Sequence, residues 1–255
     1  MQQKSKYVLV IIVMLSIFLV SYISYSIFLQ PDEITEVSEV SEVKNQSREI
    51  LGTVNLSKVE IASNMSVDQA IQNRRSVRSF SATPLTLKDV SQLLWAAQGI
   101  TDSERNFRTT PSAGHVFPME VYLVTGNSTV QGLDAGIYHY NPFNNTLEKI
   151  FEGDQRQNLS QAAHQQKWVN DAPINLVITG NYQKMQDKYP DEELSKRFVH
   201  MEAGHIGENI YLEAVSRGLG TVAIGSFYDD QMINLFKLPS DETPLYIYPV
   251  GYKTS

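Results

Sequence analysis

The pattern of apolar and polar positions divides the chain into three parts. Residues 8–29 are apolar apart from a few Ser and Tyr side chains and carry no charge, so this run is long enough to cross a hydrocarbon core as a helix. Residues 30–63 include a repeated Glu-Val-Ser triplet without a helical or strand face, which indicates a disordered acidic stalk. From residue 64 to residue 255 the apolar positions recur with the spacing of helices and strands, which predicts one folded domain.

Within this domain the spacing predicts both helices and strands. Capping-box pairs, Ser66 with Gln69 and Thr86 with Asp89, begin two helices, and residues 192–217 form the longest helical stretch. The predicted strands cover residues 120–125, 136–140, 146–151, 174–179, 221–224 and 245–251. The second and third strands are joined as a hairpin. Helices mixed with hairpin-linked strands predict an α+β fold, with a mostly antiparallel sheet flanked by helices.

Charges beside the apolar run predict its orientation. Lys4 and Lys6 precede the run, whereas the segment after it carries only acidic charges as far as residue 43. By the positive-inside rule, residues 1–7 are cytoplasmic, residues 8–29 are a single-pass signal anchor, and the domain lies outside the cytoplasm. A cleaved signal is the alternative, but the bulky residues near the end of the run make a poor cleavage site. Six Asn-x-Ser/Thr triplets are compatible with an exported domain.

Composition excludes several classes of function. A formal charge of -7 and a pI near 5.3 argue against nucleic acid as a partner, since phosphate backbones need a basic face. The chain has no cysteine, so it has neither disulfides nor a thiolate metal site. Its five histidines are not spaced as metal ligands, and we expect no metal site.

A compact group of candidate ligand residues begins at the end of the first helix. Arg74, Arg75, Ser76 and Arg78 place three guanidinium groups and a hydroxyl within five residues. Planar guanidinium donors suit the oxygens of a phosphate group. By itself the group is equally compatible with a solvated basic patch.

Three other segments have the composition of a ligand pocket. Residues 108–118 combine two prolines, a glycine and small side chains in one loop before a strand. Gly225 and Ser226 form a turn after a predicted strand, where the missing Cβ lets backbone N–H groups approach a ligand. Lys253 adds a cation just after the final strand.

Taken together, these segments resemble the nitroreductase superfamily of flavin mononucleotide (FMN) enzymes, and most closely its SagB-type branch, the thiazoline/oxazoline dehydrogenases. The resemblance covers the domain in family order, through residues 74–80, 93–100, 108–114, 136–140, 204–209 and 218–221. It implies a nitroreductase-like fold, an FMN cofactor, a homodimer, and hydride transfer through flavin N5 to or from a small-molecule or peptide substrate.

The resemblance also implies roles for individual residues. The phosphate and ribityl chain would be bound by Arg74, Arg75, Ser76, Arg78 and Lys253. A loop that lies against the cofactor, often from the partner subunit, would supply Pro111, Ser112, Ala113 and the polar contact His115. The backbone of Gly225 and Ser226 would meet the N5 edge, where a donor favours the reduced flavin.

No residue stands out in the sequence as a general base. In thiazoline-type dehydrogenases a Lys/Tyr pair assists, and Tyr182, Lys184 and Lys188 lie in the segment where such a pair would fall. Two other interpretations are open: a non-catalytic flavin-binding electron carrier, and a surface binding module that keeps the fold without the cofactor.

Overall fold

The structure, a computed structural model, describes residues 49–254. The strands in this range are β1 (Gly52–Asn55), β2 (Ile100–Asp102), β3 (Phe107–Arg108), β4 (Met119–Thr125), β5 (Gly136–Asn141), β6 (Thr146–Glu152), β7 (Ile174–Asn181), β8 (Leu219–Thr221) and β9 (Glu242–Tyr252). Seven of them form one sheet in the order β1-β6-β5-β4-β7-β9-β8, and each neighbouring pair is antiparallel. β2 and β3 form a separate two-stranded ribbon.

Two of the helices begin where the capping signals predicted. The helices in this range are α1 (Val67–Asn73), α2 (Leu87–Gln98), α3 (Arg156–Ala162), α4 (Lys167–Asp171), α5 (Tyr182–Gln186), α6 (Glu192–Ser216) and α7 (Asp229–Phe236). Both capping boxes are present, with Ser66 accepting from the backbone N–H of Gln69 and Thr86 accepting from that of Asp89. The short helices α3, α4, α5 and α7 were missed, because none has a long apolar stripe.

Alternate side chains of the central strands pack on opposite faces of the sheet. In β4, Val121 and Leu123 belong to a core shared with α2 and α6, whereas Tyr122 and Val124 belong to a core shared with α3, α4 and α7. Helices therefore cover both faces of an antiparallel sheet. This arrangement confirms the predicted α+β class.

The longest helix, α6, packs against α2 and the sheet. Its N-terminus is capped by Asp191, which accepts the N–H of Leu194 at 2.7 Å. The helix ends before Gly218, whose φ of 72° is left-handed. The predicted helical stretch is thus confirmed to within one residue of its end. At about 1.5 Å per residue, this helix can link features that lie far apart on the molecule.

One glycine of α6 is required by packing. A Cβ at Gly207 would overlap the hydroxyl of the buried Tyr248, whereas a Cβ at Gly204, one turn earlier, meets no atom within 4 Å. We expect Gly207→Ala to lower the free energy of unfolding by about 2 kcal/mol through overpacking. Gly204→Ala is the matched control and should not destabilise the chain, since alanine favours helix. Urea denaturation of both variants tests this, and equal losses would contradict it.

The predicted stalk, residues 30–63, is wrong in its last part. Gly52–Asn55 form β1, which pairs with β6 at the edge of the sheet. The segment then packs on α2, where the N–H of Ser57 donates to Ser91 Oγ at 2.9 Å. The strand is too short to show a period in the sequence, and its backbone is satisfied by a distant partner strand. The boundary at residue 64 therefore lies too late in the chain.

The predicted signal anchor at residues 8–29, the cytoplasmic end before it and the first part of the stalk lie outside the described residues. Among residues 49–254, none of the helices combines the length and the apolar character that a membrane span needs.

Candidate functional site

The residues predicted to bind a phosphate lie along one edge of the sheet. After Arg74 the chain runs beside β8, where the N–H of Val77 donates to the carbonyl of Thr221 at 2.8 Å. Farther on, Phe80 forms an antiparallel bridge with Lys253, which follows β9. We call this group the cationic edge; it consists of Arg74, Arg75, Ser76, Arg78 and Lys253.

The cations of this edge have no acidic partners within the described part of the chain. No carboxylate of residues 49–254 forms an ion pair with any of them, although the protein as a whole is acidic. Arg75 donates instead to the backbone carbonyls of Gln72 and Arg74. Thr221, whose backbone forms a β-bridge with Ser76, has a buried hydroxyl that finds no hydrogen-bond partner among residues 49–254. This donor set matches an anionic group such as phosphate.

Tyr211 of α6 connects the segments that form this edge. Its hydroxyl accepts the N–H of Ala223 at 2.8 Å and lies 3.1 Å from Ser76 Oγ. Its ring lies under the guanidinium of Arg74, 5.1 Å from the centroid. The helix, the segment after α1 and the segment after β8 therefore meet at one side chain.

The predicted turn at Gly225 and Ser226 lies near the same edge. It begins two residues after Ala223, and both of its residues are exposed. The Ser226 carbonyl accepts from Gln166 Nε2 at 3.3 Å. Gln166 lies two residues before Trp168 in the chain. The Trp168 ring lies under the guanidinium of Arg78 at 5.7 Å. These contacts connect the turn, the α3–α4 region and the cationic edge.

The second predicted group is the loop that contains Pro111, Ser112, Ala113 and His115, which we call the Pro-Ser loop. Ser112 Oγ accepts the N–H of Phe117 at 2.8 Å, which closes the loop. Gly114 has a left-handed φ of 59°, and so does His115 at 62°. The His115 side chain is exposed and its ring packs edge-on against Phe117, 4.6 Å between centroids. A turn of this shape keeps Pro111 and His115 at the surface.

Two lysines fasten this loop to the α5–α6 region. Lys184 Nζ donates to the carbonyl of Phe117 at 2.8 Å, and Lys188 Nζ donates to the carbonyl of Gly114 at 2.6 Å. The hydroxyl of Tyr189 is close enough that a Cβ on Gly114 would lie 2.6 Å from it. Tyr182 points elsewhere, with its hydroxyl 2.6 Å from His200 Nε2. The structure therefore brings Lys188 and Tyr189 together at the loop, and leaves Tyr182 apart.

A buried carboxyl lies behind the Pro-Ser loop. Glu202 of α6 is 2% exposed, and Gln98 Nε2 donates to one of its oxygens at 3.4 Å, while Gln98 Oε1 accepts from Arg108 at 2.8 Å. The other oxygen has no hydrogen-bond partner of good geometry among residues 49–254. Burial raises the pKa of Glu202 to about 7, against smaller opposing effects of Ser112, Gln98, Arg108 and Lys184. Such a group can change its charge near neutral pH.

The two groups of predicted residues lie at different positions along α6. The cationic edge contacts the helix at Tyr211 and the Pro-Ser loop contacts it at Glu202, about 13 Å apart along the axis. No hydrogen bond or ring contact within residues 49–254 joins the groups. One chain by itself therefore presents two half-sites.

This sheet, this crossing helix and this cationic edge, which forms no ion pair with residues 49–254, define an α+β protein with a candidate site for an anionic ligand. The model of the nitroreductase family matches residues 71–252 of this chain. A nitroreductase homologue of Methanocaldococcus jannaschii is 41% identical over 187 residues, covering 73% of this chain and 91% of its own. The chain belongs to the nitroreductase family.

Other similarities extend this result. A nitroreductase-family structure from Ralstonia eutropha JMP134 has 32% identity and a TM-score of 0.69, covering 82% of this chain and 94% of that one. The trifolitoxin operon protein TfxC of Rhizobium leguminosarum bv. trifolii is 24% identical over 204 residues, 75% of this chain and 56% of its own. These relatives confirm the resemblance to the nitroreductase superfamily and its SagB-type branch.

Two more solved structures share the fold. The Escherichia coli microcin synthetase McbBCD complex with truncated pro-MccB17 bound has 22% identity and a TM-score of 0.62, covering 87% of this chain and 84% of that one. The NADPH:FMN oxidoreductase from Vibrio harveyi complexed with NAD+ has 22% identity and a TM-score of 0.53, covering 74% and 69%.

Sequence reasoning missed three residues of this region. Tyr211 and Arg108 carry no local signal, because their partners are distant in the chain. Tyr189 could have been found, since it directly follows Lys188 in the segment predicted to hold a Lys/Tyr pair.

Proposed function

We propose that this oxidoreductase of the nitroreductase family depends on FMN and is a SagB-type dehydrogenase, which passes a hydride between flavin N5 and a small-molecule or peptide substrate. The observation that carries the proposal is the set of cations, without an acidic partner among residues 49–254, at the edge where the segment after α1 meets the end of β9. The similarity to an NADPH:FMN oxidoreductase supports the cofactor, and the similarity to TfxC and to a microcin synthetase complex supports the branch.

The residues present fit the cofactor's chemistry. When bound, FMN supplies the hydride acceptor and donor, and the protein binds and orients it. Arg74, Arg78 and Lys253 would hold the phosphate, and the Ser76 hydroxyl would donate to it. The exposed backbone at Gly225 would face the N5 edge without a Cβ in the way.

A second copy of the chain would complete the site. Because the Pro-Ser loop and the cationic edge are separate half-sites in one chain, a two-fold homodimer would bring the loop of one subunit to the edge of its partner. Pro111, Ser112 and Ala113 would then cover the cofactor and exclude water. His115 is exposed and would be available for a polar contact.

Lys188 and Tyr189 are the candidates for proton transfer in this proposal. Both lie against Gly114 in the Pro-Ser loop, so the dimer would bring them to the substrate side of the cofactor. The ammonium of Lys188 and the phenol of Tyr189 would stand side by side at Gly114 of the loop. The Tyr189 oxygen would then accept or return the proton that leaves the substrate when the hydride does.

Cofactor binding by the full-length protein tests the proposal. We expect the purified protein to carry FMN, and we expect Arg74→Ala and Arg78→Ala each to weaken FMN binding about 30-fold, equivalent to about 2 kcal/mol for a charged hydrogen bond. Quenching of flavin fluorescence on titration measures the affinity. Lys88→Ala, which removes an exposed cation paired with Glu60, is the matched control.

The outcomes separate the proposal from its alternatives. A colourless protein that does not take up added FMN would indicate a binding module that has lost the cofactor. Bound FMN that dithionite reduces but no candidate substrate does would indicate an electron carrier. Unchanged affinity in both arginine variants would show that the phosphate lies elsewhere. The membrane anchor and the placement of the domain outside the cytoplasm are separate predictions, which rest on the sequence of residues 1–43.

A further inference from the structure

Tyr211 is a buried tyrosine whose polar contacts all lead to the cationic edge. It is 9% exposed, and its hydroxyl contacts the Ala223 N–H and the Ser76 hydroxyl. Its ring supports the guanidinium of Arg74. It has no charge and contributes no donor of its own to the surface, so any effect on a ligand must pass through these neighbours.

The backbone partner fixes one hydrogen-bond direction at Tyr211, whereas in the contact with Ser76 either hydroxyl can donate. The Ala223 N–H can only donate, so the phenol oxygen accepts from it at 2.8 Å. When the phenol donates its one proton, Ser76 Oγ at 3.1 Å accepts it. Ser76 then uses a lone pair towards Tyr211, and its own proton points away from the tyrosine. Since Ser76 is exposed, that proton is directed to the solvent side of the edge.

We propose that Tyr211 is a positioning residue, which holds Ser76 as a hydrogen-bond donor towards the anionic end of the cofactor while its ring supports Arg74. The inference rests on the proposed function, since it assumes that the cationic edge binds the phosphate of FMN. It adds a role for a residue that does not touch the ligand. The same hydroxyl fixes Ala223, two residues before Gly225, so one side chain sets the spacing of both cofactor-facing segments.

Tyr211→Phe tests the role of the hydroxyl and keeps the ring under Arg74. In the full-length protein we expect the dissociation constant for FMN to rise about 10-fold, the loss of one well-placed hydrogen bond. Ser76→Ala should weaken binding by a similar factor. If Tyr211 acts through Ser76, the double variant should bind FMN about as well as Ser76→Ala alone, because the second substitution removes nothing further.

Tyr248→Phe is the matched control. Tyr248 packs edge-on against Tyr211, 6.0 Å between centroids, and is also buried, but it does not contact Ser76. We expect its FMN affinity to equal that of the wild type. Thermal unfolding of all variants without FMN separates a general loss of stability from a loss of binding.

The outcomes distinguish a failure of this inference from a failure of the proposed function. If the wild type binds FMN and Tyr211→Phe binds it equally well, the inference is wrong and the proposed function stands. If the two substitutions multiply in their effects, Tyr211 does not act through Ser76 and the inference is also wrong. If the wild type does not bind FMN, the proposed function itself fails.

Discussion

Glu202→Gln should remove a loss of stability that the wild-type protein undergoes as the pH rises. Burial raises the pKa of Glu202 from 4.5 to about 7 in the folded chain. Between these values the folded state holds a proton that the unfolded state has released, so the free energy of unfolding falls as the pH rises. At 1.36 kcal/mol per pKa unit, the loss is about 3 kcal/mol and is complete just above pH 7.

Glutamine suits this test because it keeps the shape of the side chain and cannot ionise. Its carbonyl can still accept from Gln98 Nε2, and its amide can donate towards Ser112. We therefore expect the variant to match the wild type near pH 4.5 and to be more stable by about 3 kcal/mol above pH 7.

Urea denaturation from pH 4 to pH 8 measures the difference. Glu208→Gln is the control, because Glu208 lies on the same helix but is exposed. If the Glu202→Gln and wild-type curves run parallel over this range, Glu202 ionises normally and the buried carboxyl has no part in the pH dependence of the protein.

Tyr189→Phe and Lys188→Met should leave FMN bound and lower turnover. Each removes one member of the pair that lies against Gly114, and proton transfer by a positioned side chain contributes about 100-fold or more to a rate. A peptide with a thiazoline or oxazoline ring is the test substrate. Mass spectrometry detects the loss of two hydrogens from the ring and so measures turnover. Flavin absorbance measures the fraction of the protein that carries FMN.

The chain offers matched controls for both substitutions. Tyr182→Phe and Lys184→Met alter the other tyrosine and lysine of the same segment, one bonded to His200 and the other to the Phe117 carbonyl. We expect both to retain most of the turnover. If the Tyr182 and Lys184 variants lose turnover and the Lys188 and Tyr189 variants keep it, the assignment of the pair is reversed.

Local signals in the sequence predicted the main elements well. Capping boxes located the starts of α1 and α2, and the apolar spacing located β4, the β5–β6 hairpin, β7 and α6. They failed where an element depends on a distant partner. β1 and the β2–β3 ribbon have too few residues for a visible period, and β1 also takes its backbone hydrogen bonds from the distant strand β6.

The candidate site shows the same division. Arg74, Ser76 and Arg78 were identified from their chemistry, because guanidinium groups near a hydroxyl suit phosphate wherever they lie. The sequence could not show that these cations have no acidic partner in the described part of the chain, or that Lys253 comes beside them, since both facts depend on chain segments far apart in number.

By itself, the sequence determined the kinds of groups available, the α+β class and the order of the main elements, because these follow from side-chain chemistry and local periodicity. Only the tertiary structure decided which groups meet. It joined Tyr211 to Ser76 across 135 positions, set Lys188 and Tyr189 rather than Tyr182 at the Pro-Ser loop, and buried Glu202. Burial and long-range contact are properties of the packed chain, and these change a group's pKa and its hydrogen-bond direction.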